Sequence, residues 1–230
     1  IMKRYVIIVA GGKGLRMGGD LPKQFIPMAG KPVLMHTVEK FWKWDNQINI
    51  ILVLPIDHQA YWKMLCKEIG CKAPHRIVNG GETRFHSVQN GLNTIREEIE
   101  ASGEKALIAV HDGVRPFVSP EVISASFTQA EETGAVVPAL PMIDSLRMKQ
   151  ADGSSCPVDR SLYYAVHTPQ VFTSDTLLNA YQQPYTDTFT DDASVVEAAG
   201  FQVAMVLSNR ENIKITTPFD LTIARALFQE

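Results

Sequence analysis

Apolar residues fall along this chain in runs of two kinds, one continuous and one helically spaced. Tyr5-Val6-Ile7-Ile8-Val9-Ala10 is rich in β-branched residues and has no polar alternation, the pattern of a strand buried on both faces. Pro32 stands where the first turn of a helix tolerates it, and Val33, Leu34, Thr37, Val38, Phe41 and Trp42 recur at helical spacing as far as Trp44. Ile48 to Leu54 reads as a second buried strand closed by Pro55. Tyr61, Met64, Leu65, Lys67 and Ile69 read as a helix ending at Gly70, a residue suited to the position just past a helix. The pattern then predicts a strand at His75 to Asn79, a helix from about Thr83 to Ile99, a strand at Ala106 to Val110, a helix at about Pro120 to Thr133 and a strand at Ala135 to Leu140.

Strand and helix in alternation require crossovers, and hence a mostly parallel, mixed sheet with helices on both faces. No internal repeat or low-complexity linker divides residues 1–230, so the expected architecture is one Rossmann-like α/β domain. Between Asp144 and Val166 the alternation stops. Two short alternating runs around Asp152-Gly153 read as a β-hairpin that interrupts the parallel sheet and projects from it. Leu146, Met148, Val158 and Leu162 on such an arm need a partner surface, so residues 144–166 are expected to be a dimerisation arm. His167-Thr168-Pro169-Gln170 returns the chain to the domain. Thr173 or Ser174 starts a short helix, Thr190-Asp191-Asp192-Ala193-Ser194 caps another that ends at Gly200, Phe201 to Leu207 is strand-like, and an amphipathic helix follows Pro218.

Composition narrows the class. Of 230 residues 45% are hydrophobic, enough for a sizeable core and against disorder. The net charge of −3 comes without a basic block, which argues against a nucleic-acid binder. No apolar run approaches the length of a membrane span and the start lacks a signal-peptide layout, so a cytoplasmic protein is expected. Cys66, Cys71 and Cys156 are odd in number and lack metal-site spacing, as reduced thiols would.

The first strand empties into a loop with five glycines and three cations, Gly11-Gly12-Lys13-Gly14-Leu15-Arg16-Met17-Gly18-Gly19-Asp20-Leu21-Pro22-Lys23. Glycines let backbone N–H groups converge on an anion, and Lys13, Arg16 and Lys23 add positive charge, which together describe a phosphate cradle. It is not a P-loop, because Gly14 follows Lys13 where Ser or Thr is required. The dinucleotide fingerprint also fails, by one residue at its third glycine. In open α/β sheets ligands bind beyond the carboxyl ends of the strands, which singles out two further stretches. In Gly80-Gly81-Glu82-Thr83-Arg84-Phe85-His86-Ser87, Thr83 can cap a helix, the glycines allow close approach of a base edge, and Ser87 can hydrogen-bond it. In His111-Asp112-Gly113-Val114-Arg115, a carboxylate at a strand end needs a partner. Arg115 supplies either a structural ion pair or, in a site, a phosphate grip beside an Asp112 that holds Mg²⁺ through water. His36, His58, His75 and His86 have no ligand spacing.

Ala10-Gly11-Gly12-x-Gly14-x-Arg16-Met17 followed by Pro22-Lys23-Gln24 resembles the signature of sugar-nucleotide pyrophosphorylases. With Gly81-Glu82-x-Arg84-x-x-Ser87, His111-Asp112-x-x-Arg115-Pro116, Asp159-Arg160, Thr168-Pro169-Gln170, Thr190-Asp191-Asp192-Ala193-Ser194 and Asn212-Ile213-Lys214, the whole chain resembles the 2-C-methyl-D-erythritol 4-phosphate cytidylyltransferases of the non-mevalonate isoprenoid pathway. It departs from that pattern at Glu82, where the family usually has Asp, and at Ser145, where it has Thr. The resemblance implies in-line attack of a polyol phosphate on the α-phosphorus of CTP, with Mg²⁺ as cofactor. Arg16, Lys23 and Lys214 are then catalytic, and Ala10, Gly11, Gly12, Lys13, Gly14, Gly80, Gly81, Glu82, Arg84 and Ser87 bind the nucleotide. Asp112, Arg115, Ser145, Arg160, Thr168 and Thr190 hold the acceptor, with Arg160 reaching across a homodimer. No direct metal ligand is implied. The rival readings are a ribitol 5-phosphate cytidylyltransferase and a catalytically silent nucleotide-binding subunit.

Overall fold

The computed structural model describes residues 2–11 and 21–229. In chain order these form β1 (Lys3–Val9), β2 (Pro27–Met28), β3 (Lys31–Pro32), α1 (Val33–Trp44), β4 (Asn49–Leu54), α2 (Ile56–Ile69), β5 (Arg76–Asn79), α3 (Arg84–Ser102), β6 (Ala106–Asp112), α4 (Pro120–Thr133), β7 (Ala135–Pro141), β8 (Arg147–Lys149), β9 (Ser155–Pro157), β10 (Tyr164–Val166), β11 (Gln170–Thr173), α5 (Ser174–Ala180), α6 (Asp192–Ala198), β12 (Ala204–Leu207) and α7 (Pro218–Phe228). The main sheet has eight strands in the order β10-β7-β11-β6-β1-β4-β5, with β12 parallel to β7 on its other side. β1, β4, β5, β6 and β7 run one way, and β10 and β11 run against them.

Continuous apolar strands are explained by what covers them. Along β1, Val6 and Ile8 join a core with Leu34, Val38 and Phe41 of α1, Trp62 of α2 and Phe127 of α4. Tyr5 and Ile7 point the other way, into a core with Val88, Leu92 and Ile95 of α3, Leu177 of α5 and Val196 of α6. Helices on both faces leave no wet side, so the strand has no use for polar alternation.

The expected α/β architecture is present, with five local differences. β6 continues past Val110 through His111 to Asp112, because Asp112 still pairs in register with Val9 of β1. α2 is anchored by Trp62, which is fully buried, while Tyr61 and Met64 stay exposed. Only the last four residues of Phe201–Leu207 pair as a strand. The projecting hairpin forms as a separate two-stranded sheet of β8 and β9, but Tyr164–Val166, expected within the arm, returns to the main sheet as β10, antiparallel to the end of β7. β11, which no periodicity indicated, enters antiparallel between β6 and β7. Gly70 ends α2 with φ of 81°, the left-handed conformation that glycine adopts without a Cβ penalty.

Candidate active site at the carboxyl ends of the strands

Between β1 and β6 on one side and the segment before α7 on the other lies a cavity of about 310 Å³, within the range of small-molecule sites. Among the described residues it is lined by Val9 to Gly11 at the end of β1, Lys23 and Gln24, Gly81 to Arg84 and Ser87 at the start of α3, Asp112 at the end of β6 with Val114 beyond it, and Lys214 and Thr216. Backbone hydrogen bonds fix these segments to one another: Gly113 N–H donates to Val9 O at 2.9 Å, Ala10 N–H to Val53 O at 3.0 Å and Ile215 N–H to Val114 O at 3.0 Å. Thr216 is held by Asp220, whose carboxylate accepts from its backbone N–H at 2.8 Å and its hydroxyl at 2.9 Å, so the first turn of α7 orders the strip that carries Lys214.

Asp112 is the centre of the charge. Its Oδ2 lies 3.0 Å from Lys214 Nζ and 3.3 Å from Arg115 Nε, and its Oδ1 3.5 Å from Arg84 Nε. Burial alone would push this carboxyl up, but Arg84, Lys214 and Arg115 more than offset it and hold it well below the usual carboxylate range. Arg84 also donates to Asp192 Oδ2 at 2.7 Å. Burial works against its charge, yet Asp192 and Asp112 together raise its pKa. Beneath Asp112, burial lowers His111 to about 4, so the imidazole is neutral. Its Nε2 faces Arg115 O at 3.0 Å and its Nδ1 the Thr168 hydroxyl at 3.0 Å. A carbonyl can only accept, so Nε2 carries the proton and Nδ1 accepts from Thr168. Thr168 Oγ1 in turn accepts from Asp112 N–H at 3.1 Å.

At the other wall Thr83 caps α3, accepting from His86 N–H at 3.3 Å. Ser87 Oγ accepts from Gly81 N–H at 3.0 Å and donates to Thr83 O at 3.0 Å. A Cβ on Gly81 would stand 2.5 Å from His86 Cβ. The glycine therefore lets this loop fold back on α3, a reason separate from any approach to a ligand. Gln24 Nε2 donates to Ala10 O at 3.0 Å and faces His58 Nδ1 at 3.2 Å, tying the Lys23 turn to β1 and α2.

Of the residues singled out from the sequence, Ala10, Gly11, Lys23, Gly81, Glu82, Arg84, Ser87, Asp112 and Lys214 converge on this cavity. Gly12, Lys13, Gly14 and Arg16 lie outside the described residues. Gly80 stands just behind the wall, its N–H donating to Leu54 O at 2.8 Å. Two expected acceptor ligands are turned inward. Arg115 is buried, with Nη1 donating to Asn212 O at 2.7 Å, and Thr168 is buried with its hydroxyl held by Asp112 N–H and His111. Their geometry supports Asp112 from behind rather than a face of the cavity. Ser145, Arg160 and Thr190 do not line it either. All three are exposed, the first two on the arm, where Arg160 donates to Ile143 O. Thr216, held in the wall by Asp220 four residues on, was not singled out from the sequence, and Asp192, read there only within a cap, meets Arg84 108 positions away.

An open, mixed α/β sheet with a cationic cavity at its strand ends, lined by Gly11, Gly81, Lys23, Arg84 and Lys214 among the described residues, defines a nucleotide-type binding fold. The family model described as IspD, 2-C-methyl-D-erythritol 4-phosphate cytidylyltransferase, matches residues 4–230. A relative of that description from Phocaeicola vulgatus is 56% identical over 226 residues, 98% of this chain and 100% of the relative; one from Bacteroides thetaiotaomicron is 55% identical with the same coverage. Among solved structures, the 4-diphosphocytidyl-2C-methyl-D-erythritol synthase of Anaerococcus prevotii superposes with a TM-score of 0.83 at 27% identity, covering 100% of this chain and 97% of the other. The Francisella tularensis 2-C-methyl-D-erythritol 4-phosphate cytidylyltransferase gives 0.76 at 28%, covering 97% and 99%. The chain belongs to the 2-C-methyl-D-erythritol 4-phosphate cytidylyltransferase family.

Proposed function

We propose that this protein transfers the cytidylyl group of CTP to 2-C-methyl-D-erythritol 4-phosphate. A phosphate oxygen of the acceptor attacks the α-phosphorus, the bond to the bridging oxygen breaks on the opposite side, and pyrophosphate leaves, giving 4-diphosphocytidyl-2-C-methyl-D-erythritol. The observation that carries the reading is the meeting of Lys23, Lys214, Arg84 and Asp112 in one cavity at the strand ends, in a chain of this family. Phosphoryl transfer of this kind depends on positioning and on charge aimed at the transferred group. In this reading Lys23 and Lys214, with Arg16 of the loop, stabilise the charge that builds on the α-phosphate and the leaving oxygen, while Lys13 and the loop amides of Gly11, Gly12 and Gly14 hold the other phosphates. Ser87 keeps one lone pair beyond its two hydrogen bonds, an acceptor that suits the 4-amino group of cytosine. Asp112 faces the acceptor, with Arg115, His111 and Thr168 holding it in place.

Among the described residues no three His, Cys, Asp or Glu side chains cluster as a metal cage. Mg²⁺ typically binds through one or two carboxylates plus substrate phosphates and keeps several waters. A Mg²⁺ bound with the triphosphate would find an outer contact in Asp112, through water. When bound, it offsets the charge of the phosphates.

We also assign a homodimer. Val166 of β10 and Leu207 of β12 flank Ala139 of β7 in register, and with Tyr164, Met205, and Met148 and Leu162 of the arm they are exposed. An apolar face of that kind next to a projecting hairpin suits a second copy of the chain, whose arm would carry Ser145 and Arg160 to this cavity. No helix among the described residues is long and apolar enough to cross a membrane, and a cytoplasmic biosynthetic role accords with that. The test is pyrophosphate release from CTP with methylerythritol phosphate and ribitol 5-phosphate side by side. A clear preference for the first supports the assignment, a preference for ribitol phosphate moves it to the related enzyme, and release with neither removes it.

A further inference from the structure

Asp192 is fully buried in the first turn of α6 and does not line the cavity. A carboxylate in that position is costly unless its partners compensate it. It has two: Tyr181 donates to its Oδ1 at 2.6 Å, and Arg84 to its Oδ2 at 2.7 Å. Tyr181 and the start of α6 are each fixed independently of Arg84. The ring of Tyr181 stacks on Phe85, centroids 4.7 Å apart. The start of α6 is tied to β11 by Gln170, whose Oε1 accepts from Ala193 N–H at 2.8 Å and whose Nε2 donates to Asp191 at 2.8 Å. Arg84 is thus shared between two carboxylates. The buried one holds it at 2.7 Å, and the one in the cavity, Asp112, receives it at 3.5 Å on Oδ1. Lys214 and Arg115 both approach the other oxygen, Oδ2.

We propose that Asp192 is a positioning residue for the reaction: by holding Arg84 at 2.7 Å through a buried Tyr181–Asp192–Arg84 chain, it keeps the guanidinium no nearer than 3.5 Å to Asp112 Oδ1, so that this oxygen can still meet the acceptor while Lys214 keeps its own place on Oδ2. Without that hold, the guanidinium has one carboxylate within reach and closes on Asp112, removing the acceptor contact. The inference rests on the reading of Asp112 as facing the acceptor.

The test compares Asp192→Asn, which keeps shape and acceptor oxygen but drops the charge, with Arg84→Met and with the double variant. At saturating CTP, Asp192→Asn is expected to lower kcat/KM for the polyol phosphate roughly 10²-fold, the scale associated with a misplacement of about 1 Å. In the Arg84→Met background the same substitution should change it less than twofold, because the group it restrains is gone. A role confined to packing α6 would lower the melting temperature equally in both backgrounds and leave the kinetic loss additive. Additive losses, or a folded Asp192→Asn variant with kcat/KM within threefold of the parent, would overturn the proposal. Should Asp192→Asn not fold, Tyr181→Phe takes its place in the same cycle, with a smaller loss expected only where Arg84 is present, and additivity again overturning it. An inactive parent protein refutes the proposed reaction but not the restraint. A crystal structure of the folded variant then decides: Arg84 within hydrogen-bond distance of Asp112 supports the restraint, and Arg84 unmoved rejects it.

Discussion

The Asp112 carboxylate is 6% exposed and meets Lys214, Arg84 and Arg115, and its backbone is held by a neutral histidine through Thr168. Removing one preorganised charge that faces the transferred group typically costs about 3–4 kcal/mol, or roughly 10²–10³ in rate. Lys23→Ala should therefore lose turnover on that scale while its thermal melt stays near the parent's, because Lys23 sits on a half-exposed turn outside the apolar core. A steady-state assay giving near-normal kcat would remove Lys23 from the catalytic set. His111 supplies a pH prediction. Its ordinary value is 6.5 and burial lowers it to about 4, so between those values the unfolded chain binds a proton that the folded one refuses. The stability gained from keeping His111 neutral is complete above pH 6.5 and is lost as pH falls towards 4, amounting to about 3 kcal/mol. His167, lowered to about 4 by burial and then by Arg115, adds a smaller loss because solvent reaches it. Urea unfolding from pH 7 to pH 4.5 should show the decline, and His111→Gln should flatten it; an unchanged slope in that variant would rule His111 out as the source.

At the scale of elements, the boundaries that matter for function are those where a strand or helix ends at the cavity. Thr83 was legible as a cap, since a hydroxyl before a helical run has few other uses. The glycines beside it were legible as special but not in their reason. At Gly81 the constraint is the 2.5 Å approach to His86 that an added Cβ would make, and only the folded loop shows it. Gly81→Ala must shift the loop from α3 and displace Ser87, which accepts the Gly81 N–H. The expected result is a raised KM for CTP, with a smaller change in KM for the acceptor; equal changes in both would show that the loop does not belong to the nucleotide side. Register explains why β6 ran two residues beyond expectation. Periodicity reads apolar content, and His111 and Asp112 are polar, yet both still pair with β1.

For the whole molecule, the arm decides whether a site is complete within one chain. Arg160 and Ser145 lie on the arm and outside the cavity of their own chain. If the arm of a second copy brings Arg160 to this cavity, mixing inactive Arg16→Ala subunits with inactive Arg160→Ala subunits restores activity. One site of each mixed dimer then carries both lesions and the other neither, so activity should approach half that of the parent dimer. Silence after proven subunit exchange, or an active monomer on sedimentation, would place Arg160 in its own subunit or outside catalysis.

The amino-acid sequence by itself determined the alternation of strand and helix, the hairpin interruption, and the segments that meet at the strand ends. Each is a local pattern: a run of β-branched residues, a helical period, a glycine cluster or a cap. Tertiary structure alone decided which of the charged residues face the cavity and which serve it from behind. Along the chain Arg115 read as either an ion-pair partner or a phosphate grip, and Thr168 as an acceptor ligand only through the resemblance; in the fold one reaches Asn212 and the other His111, neither near in sequence. Asp192 read as part of a cap and became the partner of Arg84, 108 positions away. A carboxylate's role follows from the charges around it, and those come from elements that only folding brings together.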